Sequence, residues 1–433
     1  MKTHKILLFL VAVAISSCNL LQVDPQMSIT DNAAIGNATD LQKAVIGCYD
    51  ALQESGYYGR EFLVTGDLAA DNLKWTGTSQ PYSYIVNHTQ QADNTIVEAI
   101  WGSIYDGINR VNNVLYRIED VPGVSAEEIN SIKGEMRFLR GLHYFNLVQL
   151  FGAVPYRDAP TLNAGSSIMV SKSSIDSIYA RIIRDLTFAA QNIEGAPDGH
   201  ATAMAAKALL SKVYLTRGDY TDAFSMADDV IKNGGYVFEP VYEDIFTTNS
   251  KEIIFQVSFN AQDNNRLAQY FAPKPLGGRE EFTPADDMGS VFPLADIRYY
   301  TAIGPDGQVY KYRDIANGTD KVIVLRLADI MLVRSEALAH ISGSLPQDIV
   351  ADINTIRGRA QLGDYTGTNY LTEILLQRRL EFAYEGQRWF DLVRTANATS
   401  VLGIDQNHTL FPIPLSEILN NDALTNADQN PGY

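Results

Sequence analysis

Along most of the chain, apolar residues recur at spacings of three and four, the pattern of helices that each bury one face. Leu41 to Leu52 puts Leu41, Val45, Cys48 and Leu52 on one side, and Asn94 to Ile118 repeats the pattern through Ile100, Ile104, Ile108, Val111 and Leu115. Glu127 to Phe151 continues it through Phe138, Leu142, Phe145 and Val148, then stops at Gly152 with Pro155 just beyond. Glycine tolerates the left-handed turn that ends a helix, and proline cannot continue one. The next helix is expected over Ser174 to Ile193, with Ser173 as its N-cap.

A helical hairpin follows. Ala203 to Thr216 supplies small and apolar residues, Gly218-Asp219-Tyr220 turns the chain, and Ala223 to Ile231 returns. The run Ala208-Leu-Leu-Ser-Lys-Val-Tyr-Leu215 before that turn resembles a tetratricopeptide repeat, in which small residues let paired helices approach closely. Similar hairpins are predicted at Arg326 to Ser342 with Gln347 to Arg359, and at Leu371 to Tyr384 with Gln387 to Ala396. Their spacing is irregular and long insertions separate them, which argues against a regular solenoid.

Two stretches lose the helical period. Gly56 to Gln91 is one; Gly234 to Lys321 is the other, rich in Gly, Pro, Asp, Asn and Tyr, with one strand-like run at Ile253-Ile-Phe-Gln-Val-Ser-Phe259. Long irregular segments in a compact protein usually carry function. The expected organisation is mostly α: tetratricopeptide-like helical hairpins with long loop insertions and minor β content. A leader at 1–17 and an anchor segment at 18–40 would precede a single domain at 41–433. Its scaffold would span 41–233 and 322–433, and its loop-rich insertions about 56–91 and 234–321.

The leader is read from charge and hydropathy. Lys2 and Lys5 precede an apolar run from Ile6 to Ile15, and Ile15-Ser-Ser-Cys18 fits a lipoprotein signal-peptidase site. That run is too short for ~30 Å of hydrocarbon, so the expectation is cleavage before Cys18 and acylation of its thiol, an ordinary secretory signal being the alternative. Acyl chains hold a protein to a bilayer by about 0.8 kcal/mol per buried methylene. The formal net charge is −17, and losing two lysines with the leader makes it more negative still. No basic cluster is present to displace counterions, so nucleic acid is excluded as a partner. With Cys18 acylated only Cys48 remains, which rules out an intramolecular disulfide. The histidines, at 4, 88, 143, 200, 340 and 408, have no ligand spacing. No cofactor is implied, and calcium stays open.

Six segments in order resemble one family. They are Leu68-Ala-Ala-Asp-Asn-Leu73, Trp101-Gly-Ser-Ile-Tyr-Asp-Gly-Ile-Asn-Arg-Val-Asn-Asn113, Phe138-Leu-Arg-Gly-Leu-His-Tyr-Phe-Asn-Leu-Val-Gln-Leu-Phe-Gly-Ala-Val-Pro-Tyr156 and Arg326-Leu-Ala-Asp-Ile-Met-Leu-Val-Arg-Ser-Glu-Ala337, ahead of two C-terminal motifs. The latter are Gln377-Arg-Arg-Leu-Glu-Phe-Ala-Tyr-Glu-Gly-Gln-Arg-Trp-Phe-Asp-Leu-Val-Arg394 and Phe411-Pro-Ile-Pro-Leu-Ser-Glu-Ile418 with its terminal Gln429-Asn-Pro-Gly-Tyr433. Together they resemble the SusD/RagB family, surface lipoproteins that capture nutrients for an outer-membrane transporter. The resemblance implies a helical scaffold whose loop-rich half presents the ligand site. It also implies a lipid-anchored position at the outer membrane, facing the cell surface, and a SusC-like TonB-dependent barrel on which the protein closes as a lid.

The family motifs are not expected to bind ligand. Trp101 and Trp389 sit in amphipathic helices, where large aromatics pack cores. Asn109, Asn112 and Asn113 are expected to satisfy neighbouring polar groups. Glu381 and Glu385, one turn apart, would be acid and base in a catalytic reading. Nearby Arg378, Arg379 and Arg388 instead point to ion pairing along the helix, and retaining glycosidases need carboxyls about 5 Å apart across a substrate. Subtracting the motifs leaves Trp75 as the one tryptophan of three outside them. A glycan site uses aromatic planes for C–H faces and polar side chains for hydroxyls. Asn72, Lys74, Trp75, Tyr82 and Tyr84 from the first loop region could supply both. Tyr270, Arg279, Asp286, Asp287, Arg298, Tyr299, Tyr300 and Tyr310 from the second could complete a cleft, or pack the loops onto the body.

Three readings compete: a binding lipoprotein for oligosaccharide, or for oligopeptide; an enzyme, for which Asp286-Asp287 is the one acid pair in the loops; and a repeat scaffold binding only proteins. The insertions favour the first. Tyrosine-rich loops, with 23 tyrosines in the chain, suit peptide as well as sugar.

Overall fold

The computed structural model describes residues 35–162, 169–246 and 250–433. The leader, Cys18 and most of the anchor segment lie outside the described residues. Helices α1 (Ala38–Asp50), α4 (Thr95–Arg117), α5 (Ala126–Phe151), α6 (Ile175–Asn192), α7 (Ala203–Arg217) and α8 (Tyr220–Asn233) follow the periodic segments closely. So do α12 (Leu327–His340), α13 (Pro346–Arg359), α14 (Tyr370–Glu381) and α15 (Arg388–Arg394). Each packs on the next: α4 on α5, α5 on α6, α6 on α7, α7 on α8, α8 on α12 and α12 on α13. The cap of α6 is Ser174, not Ser173: the Ser174 hydroxyl accepts from the Ser177 amide, so the helix begins one residue later than expected. No helix among the described residues is long and apolar enough to cross a membrane.

The first loop region is not irregular. It contains α2 (Glu61–Leu68), strand β1 (Leu73–Trp75) and α3 (Gln80–Val86). All residues of α2 are buried, so it has no polar face, and a helix enclosed on every side shows no 3.6-residue alternation. The second region holds β4 (Ile253–Val257), α9 (Leu267–Phe271), β5 (Phe282–Pro284), α10 (Met288–Val291) and α11 (Arg298–Ala302). A short hairpin of β2 (Val154–Pro155) with β3 (Lys172–Ser173) lies after α5. Strand β4 pairs antiparallel with β6 (Val322–Arg326), and β5 pairs antiparallel with β1, which joins the two loop regions. The main hydrophobic cluster runs from Leu41 to Leu424 and includes residues of both loop regions.

The family motifs turn out to be the joints of this body. Glu381 and Glu385 do form ion pairs, but with partners brought across the fold and not along their own helix. Glu381 meets Arg326 at 2.6 Å, Arg359 at 2.5 Å and Arg298 at 3.0 Å, while Glu385 meets Arg326 at 2.9 Å and Lys311 at 2.6 Å. Glu252 bridges Arg326 and Arg359, and Asp296 holds Arg298. The four cations of this cluster therefore face four carboxylates, all with side chains at most 3% exposed. Burial alone would push the Glu381 carboxyl up, yet Arg359, Arg326 and Arg298 hold it well below the usual carboxylate range. Beside it, Arg378 bridges Asp391 and Asp329, and Arg394 grips Glu336.

The backbone repeats the joint. The Gly386 amide donates to Asp67 at 2.7 Å, and a Cβ on Gly66 would lie 2.1 Å from the Gly386 carbonyl oxygen, so α2 and the turn after α14 touch backbone to backbone. Gly386 itself has φ +74°, a conformation that side chains resist. At the C-terminus, Gln429 exchanges hydrogen bonds with both backbone groups of Ile413, and Asn430 donates to the Phe151 and Phe411 carbonyls, which locks the last residues to the end of α5.

Removing one member of a buried ion cluster leaves its partners uncompensated, at a cost of roughly 3–5 kcal/mol. Glu381→Gln is expected to lose about that much in chemical denaturation, whereas Arg279→Ala, at an exposed pair, loses under ~1 kcal/mol. Because the folded pKa of Glu381 is depressed, its contribution is complete above the ordinary value of 4.5 and fades as pH falls below it. The gap between wild type and Glu381→Gln should therefore narrow below pH 4.5; a gap constant down to pH 3 would contradict the assignment.

Candidate functional site

The two loop regions meet along β1 and β5, in register Leu73 to Pro284, Lys74 to Thr283 and Trp75 to Phe282. The ladder extends at one end by Thr76 N–H donating to the Glu281 carbonyl and at the other by Ala285 N–H donating to the Asn72 carbonyl. Because side chains alternate along a strand, Trp75 and Phe282 share a face. The indole centroid lies 5.0 Å from the Phe282 ring and 4.5 Å from Tyr82, while Tyr82 meets Phe282 edge-on. Phe282 also stacks on Tyr270 at 5.6 Å. Gly77 closes one edge of the indole, since a Cβ there would fall 2.2 Å from the ring. Trp75 is thus held by Phe282, Tyr82 and Gly77 while staying half-buried.

Polar groups ring this aromatic cluster. Arg60 and Arg279 lie over Tyr270, 4.3 and 4.6 Å from its centroid. Arg60 Nε donates to Glu61 at 2.9 Å, Arg279 Nε donates to Glu281 at 2.6 Å, and Lys74 pairs with Asp286. Arg379 of α14 reaches in from the scaffold, 3.1 Å from Asp71 and 3.9 Å from Asp287. Each of these cations faces a carboxylate, so the rim is close to neutral and offers alternating donors and acceptors.

Of the residues expected to contact ligand, the structure brings Lys74, Trp75, Tyr270, Arg279, Asp286 and Asp287 to this junction. Three others, contrary to expectation, face inward. Asn72 is fully buried, its amide donating to Asp67 and its carbonyl accepting from Arg379. Tyr82 is buried beneath Trp75 with its hydroxyl donating to Glu61 at 2.6 Å; burial and the Glu61 charge push its pKa up, so it stays a neutral donor. Arg298 is entirely enclosed in the ion cluster. Their residue types suited a sugar site, but each is consumed by an internal partner. Tyr84 is exposed on α3. Tyr299 and the exposed Tyr300 meet edge-on beside Phe292, and Tyr310 lies under the Arg313 guanidinium. Phe282, the hub of the rings, was missed: a three-residue strand is too short to show alternation. Arg60, Glu61 and Glu281 were missed because their role depends on a contact between distant segments.

The catalytic reading of Glu381 and Glu385 has no geometric basis, since both carboxylates are buried and engaged by arginine and lysine. Asp286 and Asp287 are exposed and turned to different cations, Lys74 and Arg379. Among the described residues no group of His, Cys, Asp and Glu is arranged to hold a metal ion.

Two family models match this chain. One, described as starch-binding associating with outer membrane, covers residues 20–215; the other, the SusD family, covers 297–409. SusD-like protein P2 of Formosa agariphila is 27% identical over 100% of both chains. Starch-binding protein SusD of Bacteroides thetaiotaomicron is 22% identical over 94% of this chain and 90% of its own. Among solved structures, a SusD superfamily protein from Bacteroides vulgatus superposes with TM-score 0.83 at 23% identity, over 91% of this chain and 99% of that one. A laminarin-binding SusD-like protein gives 0.80 at 23% identity, over 92% and 100%.

Trp101 and Trp389 are buried at 5% and 0% exposure, which leaves Trp75 as the one tryptophan open to solvent. Iodide is expected to quench a single fraction of the tryptophan emission, and Trp75→Phe to abolish that fraction. Quenching that survives the substitution would show that the indole is covered or that another is open.

Proposed function

Since the chain belongs to the SusD/RagB-like family, we propose that it is a non-catalytic surface lipoprotein that captures a neutral oligosaccharide at the β1–β5 junction. It passes that cargo to a SusC-like TonB-dependent transporter, on which it acts as a lid. The observation that carries the cargo assignment is the half-open indole of Trp75, fixed by Phe282, Tyr82 and Gly77 and ringed by matched charges. A pyranose has apolar C–H faces and a belt of hydroxyls that both donate and accept. A rigid aromatic plane takes the first, and side chains such as Lys74, Arg279 and Asp286 take the second. Because each rim cation already faces a carboxylate, a highly charged ligand gains little there, which favours neutral sugar over acidic sugar. The names of relatives that bind starch and laminarin support the same class.

The anchor is Cys18, acylated after removal of residues 1–17. Metabolic labelling with a palmitate analogue is expected to mark the wild-type chain and not Cys18→Ala; equal labelling of both would remove the anchor.

The cargo is tested by isothermal titration of the mature chain, residues 18–433, with Cys18→Ser to keep it soluble, against starch- and laminarin-derived oligosaccharides and a mixed peptide digest. Saccharide binding is expected, weakened roughly 10- to 30-fold by Trp75→Ala, as for a central aromatic contact worth about 1.4–2 kcal/mol. Peptide binding without saccharide binding would replace the cargo with oligopeptide. Saccharide binding untouched by Trp75→Ala would move the site elsewhere.

A further inference from the structure

Away from the loop junction, one concavity between α5 and α6 gathers guanidinium groups that the fold does not neutralise. Lys133, Arg137 and Arg140 of α5 and Arg184 of α6 line it with Glu119 and Asp158, around about 830 Å³ of open space. Spacings of four and three residues put the α5 cations on one helix face. Two of the four are accounted for. Arg140 grips Asp185 through Nε and Nη2 at 2.7 and 3.0 Å, and Lys133 pairs with Glu119. Asp158 is turned to Arg181, 3.6 Å away.

Arg137 and Arg184 have no hydrogen-bonded or ion-paired partner among the described residues. Arg137 stacks on Phe188 at 4.0 Å, and its Nε is shut off from solvent with no acceptor in reach. Burial, with Arg140 and Arg184 nearby, pulls its pKa down against the pull of Asp185. The carboxylates at hand are taken by other cations, Glu119 by Lys133, Asp158 by Arg181 and Asp185 by Arg140, and none pairs with Arg137 or Arg184. Like charges left together in a partly buried pocket are costly unless an anion joins them. The guanidinium fork fits an oxyanion through paired N–H donors.

We propose that the α5–α6 concavity is an oxyanion site, in which Arg137 and Arg184 together hold a sulfate or carboxylate group. It shares no residue with the β1–β5 junction, and its charge preference is the opposite of the neutral rim there. The ligand chemistry is common to a free inorganic anion and to an acidic sugar, and two titrants separate them.

The test is isothermal titration of the mature chain with sodium sulfate and with sodium glucuronate, ionic strength being held constant with sodium chloride. Wild type, Arg184→Gln and, as a control on the same helix, Arg181→Gln are compared. Arg184 is exposed, so its replacement leaves the fold intact, which the unfolding midpoint verifies. Saturable binding is expected, at least tenfold weaker in Arg184→Gln and unchanged in Arg181→Gln. Tighter binding of sulfate assigns an inorganic anion, and tighter binding of glucuronate an acidic saccharide. No saturable binding of either titrant, or equal loss in both variants, overturns the proposal.

Discussion

Everything else in the fold hangs on charges taken out of water. Moving ions such as Arg298, Arg326, Arg359 and Glu381 into a protein interior costs several kcal/mol each, and only close, complete pairing offsets it. Here the pairing is complete: the carboxylates come from α14, the turn after it, the segment before β4 and the segment before α11, and the cations from β6, α13, α11 and the loop after it. No single helix carries enough partners to satisfy itself. The pairs Arg298–Glu381, Lys311–Glu385, Arg326–Glu252 and Arg359–Glu252 join the loop-rich insertion to the helical scaffold, so the cluster is complete only once the insertion has docked, and a misplaced insertion would break all four at once. This makes the ion cluster a device for choosing one arrangement more than for adding stability.

That choice positions the site. Arg379 and Arg388 reach from the C-terminal signature to Asp71, just ahead of β1, and Gly386 fixes α2 from the other side. The strand that carries Trp75 is short, and a two-stranded ribbon is marginal alone in water. Here its N-terminal end is tied to the scaffold through Asp71, and its other end to the second loop region through Thr76. The aromatic cluster then needs no backbone of its own beyond those few residues.

How much of this was legible from sequence follows from the kind of signal each part leaves. Amphipathic helices such as α4 and α6 show their boundaries within a residue or two, because a half-buried surface writes its period into the chain. Helix α2 writes none, being buried on all sides, so the sequence shows only the absence of a helical period there. The signature around Glu381 was recognisable as a pattern, and ion pairing was the right physics for it, but the partners of Glu381 lay 22, 55 and 83 residues away along the chain, beyond any helical spacing rule. At the site, Trp75 stood out because it was the tryptophan left after the scaffold motifs were set aside. Asn72, Tyr82 and Arg298 were misplaced for one shared reason: a polar or aromatic residue in a loop has the same letter whether it faces solvent or an internal partner. Phe282 gave no sign, since its importance arises only when the two loop regions meet.

The β1–β5 ladder has a further consequence for descent. Its strands are joined by backbone hydrogen bonds, which do not depend on side-chain identity, while Lys74, Arg279 and Asp286 project from it with no part in the buried ion cluster. Substitutions at these rim positions can accumulate without unfolding the body. A lineage built on this plan is therefore free to exchange the side chains at this rim while keeping its frame, and the C-terminal signature that marks kinship carries no information about them.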